Sequence, residues 1–386
     1  MNRQFATSVL GAESLSVVSG RTFLMRRLAE VRDPRDPRGV RFSLVSLLLV
    51  ALCATAAGFG SYRAMGQWVA AAGPGELRRL GLRVRGPFGL VPTPGSDTLR
   101  RVLSSVRPGE LEVLLRAWET ALQVIAVDGK VLRGSRGGQA GPVTVLGAMA
   151  QDGTLVAQLR VADKSNEIPA LAPLLSVLDP EGVVVTADAL HTQVDTVNVL
   201  VEEMRAHFVF TVKRNQPKLW EACRSIPWGE VTARYKESEV GHGRLETRVV
   251  RAVTWKDLAF PHVRQVARIT RHRTDRASGK RTRETVYLIS DLTSEQASPE
   301  TLGWYARCHW GIENKIHYVR DVTFGEDTSR IRTGHGPQNA STLRSVAMNY
   351  LRATGSSIAD ARRQVALTPH IAPLDLFGVP GDLQVS

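Results

Sequence analysis

Three acidic residues have the types and positions that phosphate chemistry needs. Asp128 and Asp188 each close a run of β-forming residues, and Glu313 lies inside a predicted helix over residues 299–322. Strand ends deliver side chains to one edge of a sheet, so the two aspartates are predicted to lie near each other. Three carboxylates without a cysteine ligand favour Mg²⁺ or Mn²⁺, and two such ions would clamp the attacking and leaving oxygens of a phosphoryl transfer.

The predicted helix around Glu313 permits two further interpretations. Helical spacing puts His309, Glu313 and Arg320 on one face. Phosphoryl transfer needs a cation beside the developing charge, which Arg320 or Lys213 would supply. His309, Glu313 and His317 also have the spacing of a zinc site, but the chain lacks an HExxH motif, and the apolar residues between them favour ordinary helix packing.

The charge balance indicates a polyanionic partner. The 386 residues contain 50 Lys and Arg against 37 Asp and Glu, a formal charge of +13. Such an excess attracts nucleic acid, so double-stranded DNA is the leading partner.

Two basic segments are candidate DNA contacts. Residues 271–283 form a predicted loop with six Lys or Arg against one acid. The loop is either a finger that contacts phosphates or a solubilising hairpin tip. A short helix over residues 97–105 is either the second helix of a helix-turn-helix or a solvated face. The basic residues concerned are Arg271, Arg273, Lys280, Arg281 and Arg283 in the loop, and Arg100 and Arg101 in the helix.

Several classes of protein are excluded. The three cysteines form no CxxC pair, so neither a disulfide framework nor a zinc knuckle is predicted. The most apolar run, residues 44–57, is shorter than the ~20 residues that a membrane span needs, so no membrane partner is predicted. The first residues lack a signal-peptide pattern, which predicts a cytoplasmic protein, associated with the nucleoid when bound. Lys130 follows a single glycine without a GxxxxGK[ST] motif, so nucleotide binding is not predicted.

The elements that position the three acids divide the chain into six segments. An α/β fold is predicted, with an RNase H-like mixed-sheet catalytic core, a β-rich insertion in that core, and an all-α N-terminal domain before it. The core strands and helices follow the order βββαβαβ. The predicted segments are a flexible arm (1–20), a helical domain (21–118), the first part of the core (119–218), the insertion (219–295), the helices that complete the core (296–355) and a C-terminal tail (356–386).

Longer motifs then identify a resemblance. They are Val127-Asp128-Gly129-Lys130-Val131-Leu132-Arg133-Gly134, Asn166-Glu167-Ile168-Pro169, Thr186-Ala187-Asp188-Ala189-Leu190-His191-Thr192-Gln193, Val212-Lys213-Arg214-Asn215-Gln216-Pro217, Gly241-His242-Gly243-Arg244, His309-Trp310-Gly311-Ile312-Glu313-Asn314-Lys315 and Asp321-Val322-Thr323-Phe324-Gly325-Glu326-Asp327. Together they closely resemble the ISAs-type, or H-repeat-associated, insertion-sequence transposases over about residues 25–355.

The resemblance implies a DDE transposase with an RNase H-like fold. It assigns Asp128, Asp188 and Glu313 as the three acids that bind Mg²⁺ or Mn²⁺. Glu326, in a Gly-Glu-Asp loop, is a second candidate for the third acid. Glu313 is preferred because a helix holds a carboxylate more rigidly than a loop does.

The resemblance also suggests DNA contacts around these acids. In the wider transposase group, an Arg and a Lys accompany the third acid, and here His309 and Arg320 stand in those places. Both are predicted to contact DNA, as are Lys130, Arg133 and Lys213 in the quoted motifs.

Three functions remain open from the sequence. The first is an active transposase that cuts the ends of its element and joins them to a target. The second is a domesticated nuclease or recombination factor, and the third is a non-catalytic DNA-binding regulator. The intact acid set favours the first. Because two ends must be held together, a homodimer is the smallest assembly expected.

Overall fold

The computed structural model describes most of the chain. The described residues are 24–84, 90–117, 120–137, 141–162, 165–241, 243–255 and 258–381. The arm predicted over residues 1–20 and His242 of one motif lie outside them.

Among the described residues, nine strands form one mixed sheet. Its order is β3-β2-β1-β4-β5-β9-β8-β7-β6. The strands are β1 (Val124–Leu132), β2 (Val143–Ala150), β3 (Leu155–Arg160), β4 (Val184–Ala187), β5 (His207–Val212), β6 (Arg234–Gly241), β7 (Arg244–Thr254), β8 (Gln265–Asp275) and β9 (Arg281–Ser290).

The first five strands confirm the predicted RNase H-like core. Strands β1, β2 and β3 are antiparallel neighbours, and β4 and β5 follow parallel to β1. The parallel strands are short, buried runs rich in Val and Phe, as parallel strands covered on both faces require. The β-rich insertion supplies β6 to β9, and β9 pairs antiparallel with β5, so the insertion lengthens the same sheet.

Strand β1 continues beyond its predicted end. The sequence predicts that the strand closes at Asp128, but it runs to Leu132 because β2 keeps pairing with it. The parallel partner β4 stops earlier, at Ala187, which pairs with Val127. Asp128 therefore lies mid-strand, one residue beyond the parallel pairing, where a crevice opens at the edge of the sheet.

Helices cover both faces of the sheet. None of those in the described residues is long and apolar enough to cross a membrane. The helices are α1 (described over residues 24–30), α2 (Leu44–Ala56), α3 (Tyr62–Ala70), α4 (Pro74–Arg79), α5 (Ser96–Ser105), α6 (Pro108–Glu112), α7 (Ile168–Leu175), α8 (Val194–Asn198), α9 (Pro217–Ser225), α10 (Pro299–Ile312), α11 (Gly336–Arg352), α12 (Ile358–Leu367) and α13 (Ala372–Leu376).

Helix α11 joins the N-terminal helices to the sheet. Nearly all of its side chains are buried, between α2 and α5 on one side and β2 and β3 on the other. Asn349 pairs with both backbone groups of Leu155 in β3, at 3.0 and 2.9 Å. Asn339 donates to the carbonyls of Leu103 and Val106 at the end of α5, each at 2.8 Å. The N-terminal helices and one face of the sheet consequently share one hydrophobic core.

The C-terminal segment is not the tail that the sequence predicts. Helices α12 and α13 pack into the same core, where Leu374 and Phe377 are fully buried. Trp68 of α3 donates its indole N–H to the Pro369 carbonyl at 2.8 Å, and its ring stacks on His370. Sequence patterning missed this packing because the partners lie about 300 residues away in the chain.

Beyond Ile312, helix α10 continues as two π-helical turns, Glu313–His317 and Val319–Thr323. A π turn accommodates one extra residue, which rotates the following side chains by roughly 100° about the helix axis. Arg320 is therefore turned away from the face of Glu313 and into the core, where it is 1% exposed. The predicted shared face and the predicted DNA contact of Arg320 are wrong for this reason.

Arg320 belongs instead to a buried ion-pair network. Its Nε lies 2.7 Å from Glu326 Oε2, and Nη1 of Arg344 in α11 lies 3.2 Å from Glu326 Oε1. Although burial by itself raises the pKa of Glu326, the two guanidinium groups hold it below its usual value. Because both oxygens are engaged in the core, Glu326 is not available as the third acid.

This network predicts a large stability effect. Glu326→Gln leaves two buried arginines without their counter-charge, so we expect a loss of ~3–5 kcal/mol in the free energy of unfolding. Urea denaturation followed by circular dichroism measures it. The control Asp360→Asn removes one partner of an exposed pair with Arg363 and should leave the stability nearly unchanged. A Glu326→Gln protein as stable as the wild type would contradict the assigned role.

Candidate active site

The parallel pairing of β1 with β4 places two aspartates side by side. Because Val127 pairs with Ala187, Asp128 in β1 and Asp188, the residue just after β4, occupy the next positions along two strands that lie ~4.8 Å apart. The Asp188 carboxylate also accepts from the Leu190 N–H at 2.9 Å, which caps the turn that follows. Helix α10 packs across both strands and delivers Glu313 from its first π turn. The three acids named from the sequence thus meet at one edge of the sheet.

His317 is the residue that the sequence analysis considered only as a zinc ligand. Its Nδ1 lies 3.6 Å from Asp128 Oδ2 and 3.3 Å from Glu313 Oε2. One ligand atom from each of these three residues lies within 4.8 Å of the others. The four-residue spacing between Glu313 and His317 was the available signal, but sequence patterning could not show that Asp128 completes the group.

The electrostatics of this group are unfavourable without a cation. Burial and the neighbouring Glu313 carboxylate raise the pKa of Asp128 to about 7, and Glu167 and Asp188 add to the increase. Burial and the Arg320 charge lower the pKa of His317 to about 4, so its imidazole is neutral near pH 7. Oxygen ligands at this spacing beside a neutral imidazole fit a divalent cation, which would relieve the repulsion between the carboxylates.

A cleft of about 430 Å³ opens in front of the acids. Its charged and polar lining comprises Asp128, Thr211, Lys213, Arg271, Arg273, Glu284, His309 and Glu313. Lys213, just after β5, is exposed. Arg271 and Arg273 project from β8 and share Glu246 of β7, at 2.5 and 3.4 Å. The cleft therefore brings carboxylates and cationic side chains together in one space.

His309 lies in this cleft, half-buried on the last turn of α10. Burial lowers its pKa to about 4, an effect only partly offset by the Asp188 carboxylate. Its Nδ1 is buried and makes no hydrogen bond with the described residues. His309 would therefore meet a phosphate as a neutral hydrogen-bonding group rather than as a cation.

The basic segment over residues 271–283 is a β-ribbon rather than a loop. Strands β8 and β9 continue through it, pairing up to Thr274 and Arg281. The sequence does not reveal this extension, because polar residues on both faces hide the period-two pattern of a strand. Lys280, Arg281 and Arg283 are exposed at the end of the ribbon, whereas Arg271 and Arg273 lie nearer the acids.

The remaining basic candidates differ in their exposure. Lys130 is buried, and its Nζ lies 2.6 Å from Asp321 Oδ2, so its charge is neutralised inside the protein and its predicted DNA contact is wrong. Arg133 is exposed, 3.7 Å from Asp327. Arg100 and Arg101 are exposed on α5, away from its buried face.

Comparison with known proteins identifies the family of the chain. Residues 119–350 match the family model described as "Transposase DDE domain", and residues 25–119 match that described as "DDE_Tnp_1-associated". The chain is 30% identical to "Putative transposase YncI" of Escherichia coli O157:H7, over 80% of this chain and 82% of that protein. It is also 30% identical to "H repeat-associated putative transposase YhhI" of Escherichia coli K12, over 85% of this chain and 90% of that protein.

A solved chain from a piggyBac transposase synaptic complex with hairpin DNA aligns with a TM-score of 0.43 and 11% identity, over 94% of this chain and 78% of that chain. That likeness is too low to bear on function. The family models span nearly the whole described chain and include each of the three acids. The chain therefore belongs to the DDE transposase family, in its ISAs-type, H-repeat-associated branch.

Proposed function

We propose that this protein cuts DNA at the ends of an insertion sequence by metal-dependent hydrolysis and joins the freed 3′-hydroxyls to target DNA by transesterification. The observation that carries the proposal is the meeting of Asp128 and Glu313 in a cleft that Lys213 and Arg271 also line, with Asp188 close enough to act on the Asp128 carboxyl. Carboxylates for cations and basic groups for phosphate are the two requirements of phosphodiester chemistry.

Asp128, Asp188 and Glu313 would hold two divalent cations, Mg²⁺ or Mn²⁺, with His317 beside them. Such cations stabilise charge on the attacking and leaving oxygens and make a bound water or 3′-hydroxyl more acidic. The chain's own residues orient the substrate: Lys213 and the β8 arginines bind phosphates next to the scissile bond. Because the phosphate is bound beside the carboxylates, the reacting groups are already in position, and the reaction does not depend on a bimolecular encounter.

The exposed basic residues would extend this contact along the duplex. Lys280, Arg281 and Arg283 at the end of the ribbon bind the backbone of double-stranded DNA, and Arg100, Arg101 and Arg133 are further candidates. Because two element ends must be processed together, the working unit would be a homodimer on DNA. Such a protein works in the cytoplasm, on the nucleoid.

The acids are tested by isosteric substitution. We expect Asp128→Asn, Asp188→Asn or Glu313→Gln each to abolish cleavage and strand transfer while DNA affinity stays nearly the same, because each removes a cation ligand and spares the basic surface. Linear DNA carrying the element's ends, incubated with Mg²⁺ or Mn²⁺, reports both reactions, and a filter-binding assay reports affinity. Glu300→Gln, on the first turn of the same helix, is the matched control and should remain active. Any acid variant with wild-type strand transfer would remove that residue from the site.

The ribbon is tested by the salt dependence of binding. We expect the triple variant Lys280→Gln, Arg281→Gln and Arg283→Gln to bind unrelated DNA sequences more weakly, because phosphate contacts carry no base information. The slope of log affinity against log salt concentration should fall by up to ~0.9 for each lost contact. Arg205→Gln with Arg363→Gln, two exposed arginines paired with acids elsewhere, is the control. An unchanged slope would make the ribbon a solubilising hairpin.

A further inference from the structure

Gly129, the residue after Asp128, leaves a gap that a distant carboxylate fills. A Cβ atom at position 129 would collide with the carboxylate of Glu167, which precedes α7. Side chains alternate along β1, so Asp128 faces α10 while position 129 faces the opposite side of the sheet. Glu167 therefore reaches the strand at the residue next to Asp128, from the side away from Glu313.

His191, at the end of the turn after Asp188, lies beside the same Glu167 carboxylate. Its side chain is 1% exposed, and neither ring nitrogen makes a hydrogen bond with the described residues. Its Nε2 lies 3.9 Å from Glu167 Oε2. A buried imidazole without a hydrogen bond is costly, and the contact with Glu167 is the interaction that this position offers it.

The Glu167 carboxylate also acts on Asp128. Glu167 is among the carboxylates that raise the pKa of Asp128, together with Glu313 and Asp188. Of the basic groups nearby, Lys130 pairs with Asp321 and the β8 arginines pair with Glu246, whereas Lys213 is exposed in the cleft.

We propose that Glu167 is a fourth carboxylate of the cation site, which reaches it through the gap at Gly129 and is positioned from the buried side by His191. The ligand is a divalent cation that Glu167 would share with Asp128. This inference rests on the proposed function, because it extends the same site.

The test measures Mn²⁺ binding to the full chain without DNA, by equilibrium dialysis and isothermal titration calorimetry. We expect two Mn²⁺ per wild-type chain and, in Glu167→Gln, at least a ~10-fold weaker affinity for one of them, the lower end of what losing a partner of a metal site costs. Gly129→Ala removes no carboxylate, but its methyl group displaces Glu167. It should therefore weaken the same cation to a similar extent.

The double variant makes the test specific. If Gly129→Ala acts by displacing Glu167, then combining it with Glu167→Gln should weaken Mn²⁺ binding no further than either change alone. Glu221→Gln, an exposed carboxylate on α9 paired with Arg224, is the matched control and should bind as the wild type does. Thermal melting of each variant verifies that it is folded.

Two results would overturn the inference, and they are distinguishable. If Asp128→Asn loses Mn²⁺ while Glu167→Gln binds two ions with wild-type affinity, Glu167 has no part in the site and the proposed function stands. If Asp128→Asn also binds Mn²⁺ as the wild type does, the cleft is not the cation site. The proposed function then fails together with this inference.

Discussion

The parallel pairing of β1 with β4 is the constraint on which the rest of this structure depends. It brings Asp188 beside Asp128, whose pKa is raised by burial, by Glu313 and, to a smaller extent, by Glu167 and Asp188. Parallel strands cannot be joined by a tight turn, so the chain returns to β4 through β2, β3 and α7. Helix α10 then covers the edge and adds Glu313. The fold thus holds several carboxylates close together, and divalent cations would reduce the repulsion between them.

Several basic residues near this edge form ion pairs with acids outside the cleft. Lys130 is paired with Asp321, and Glu246 holds the arginines of β8. Glu326 binds two arginines in the core between the π turns and α11. Because these cations are paired with acids other than Asp128 and Glu313, the acids of the cleft remain available, whereas Lys213 is exposed.

Residues of separate sequence motifs contact each other in the folded chain. The glycine after Asp128 and the glutamate of the Asn-Glu-Ile-Pro motif are nearly forty residues apart, yet the carboxylate of Glu167 fills the space that a side chain at Gly129 would need. The π turns after Ile312 bring Glu313 and His317 to Asp128 and turn Arg320 into the core. The arrangement of the acids therefore depends on two local features, the glycine at position 129 and the π turns after Ile312.

The sequence by itself determined the order of the core strands, the beta-rich insertion and the family, because alternating and apolar runs and contiguous motifs are local in the chain. It also named Asp128, Asp188 and Glu313, since each lies in such a motif. Only the tertiary structure decided the packing and ion pairing of residues whose partners are distant in the chain. The C-terminal helices pack on α3 about 300 residues away, and Lys130 is neutralised by Asp321. The helix period in the sequence could not reveal the π turns that bury Arg320, because that widening changes the hydrogen-bond register without a signal in residue type.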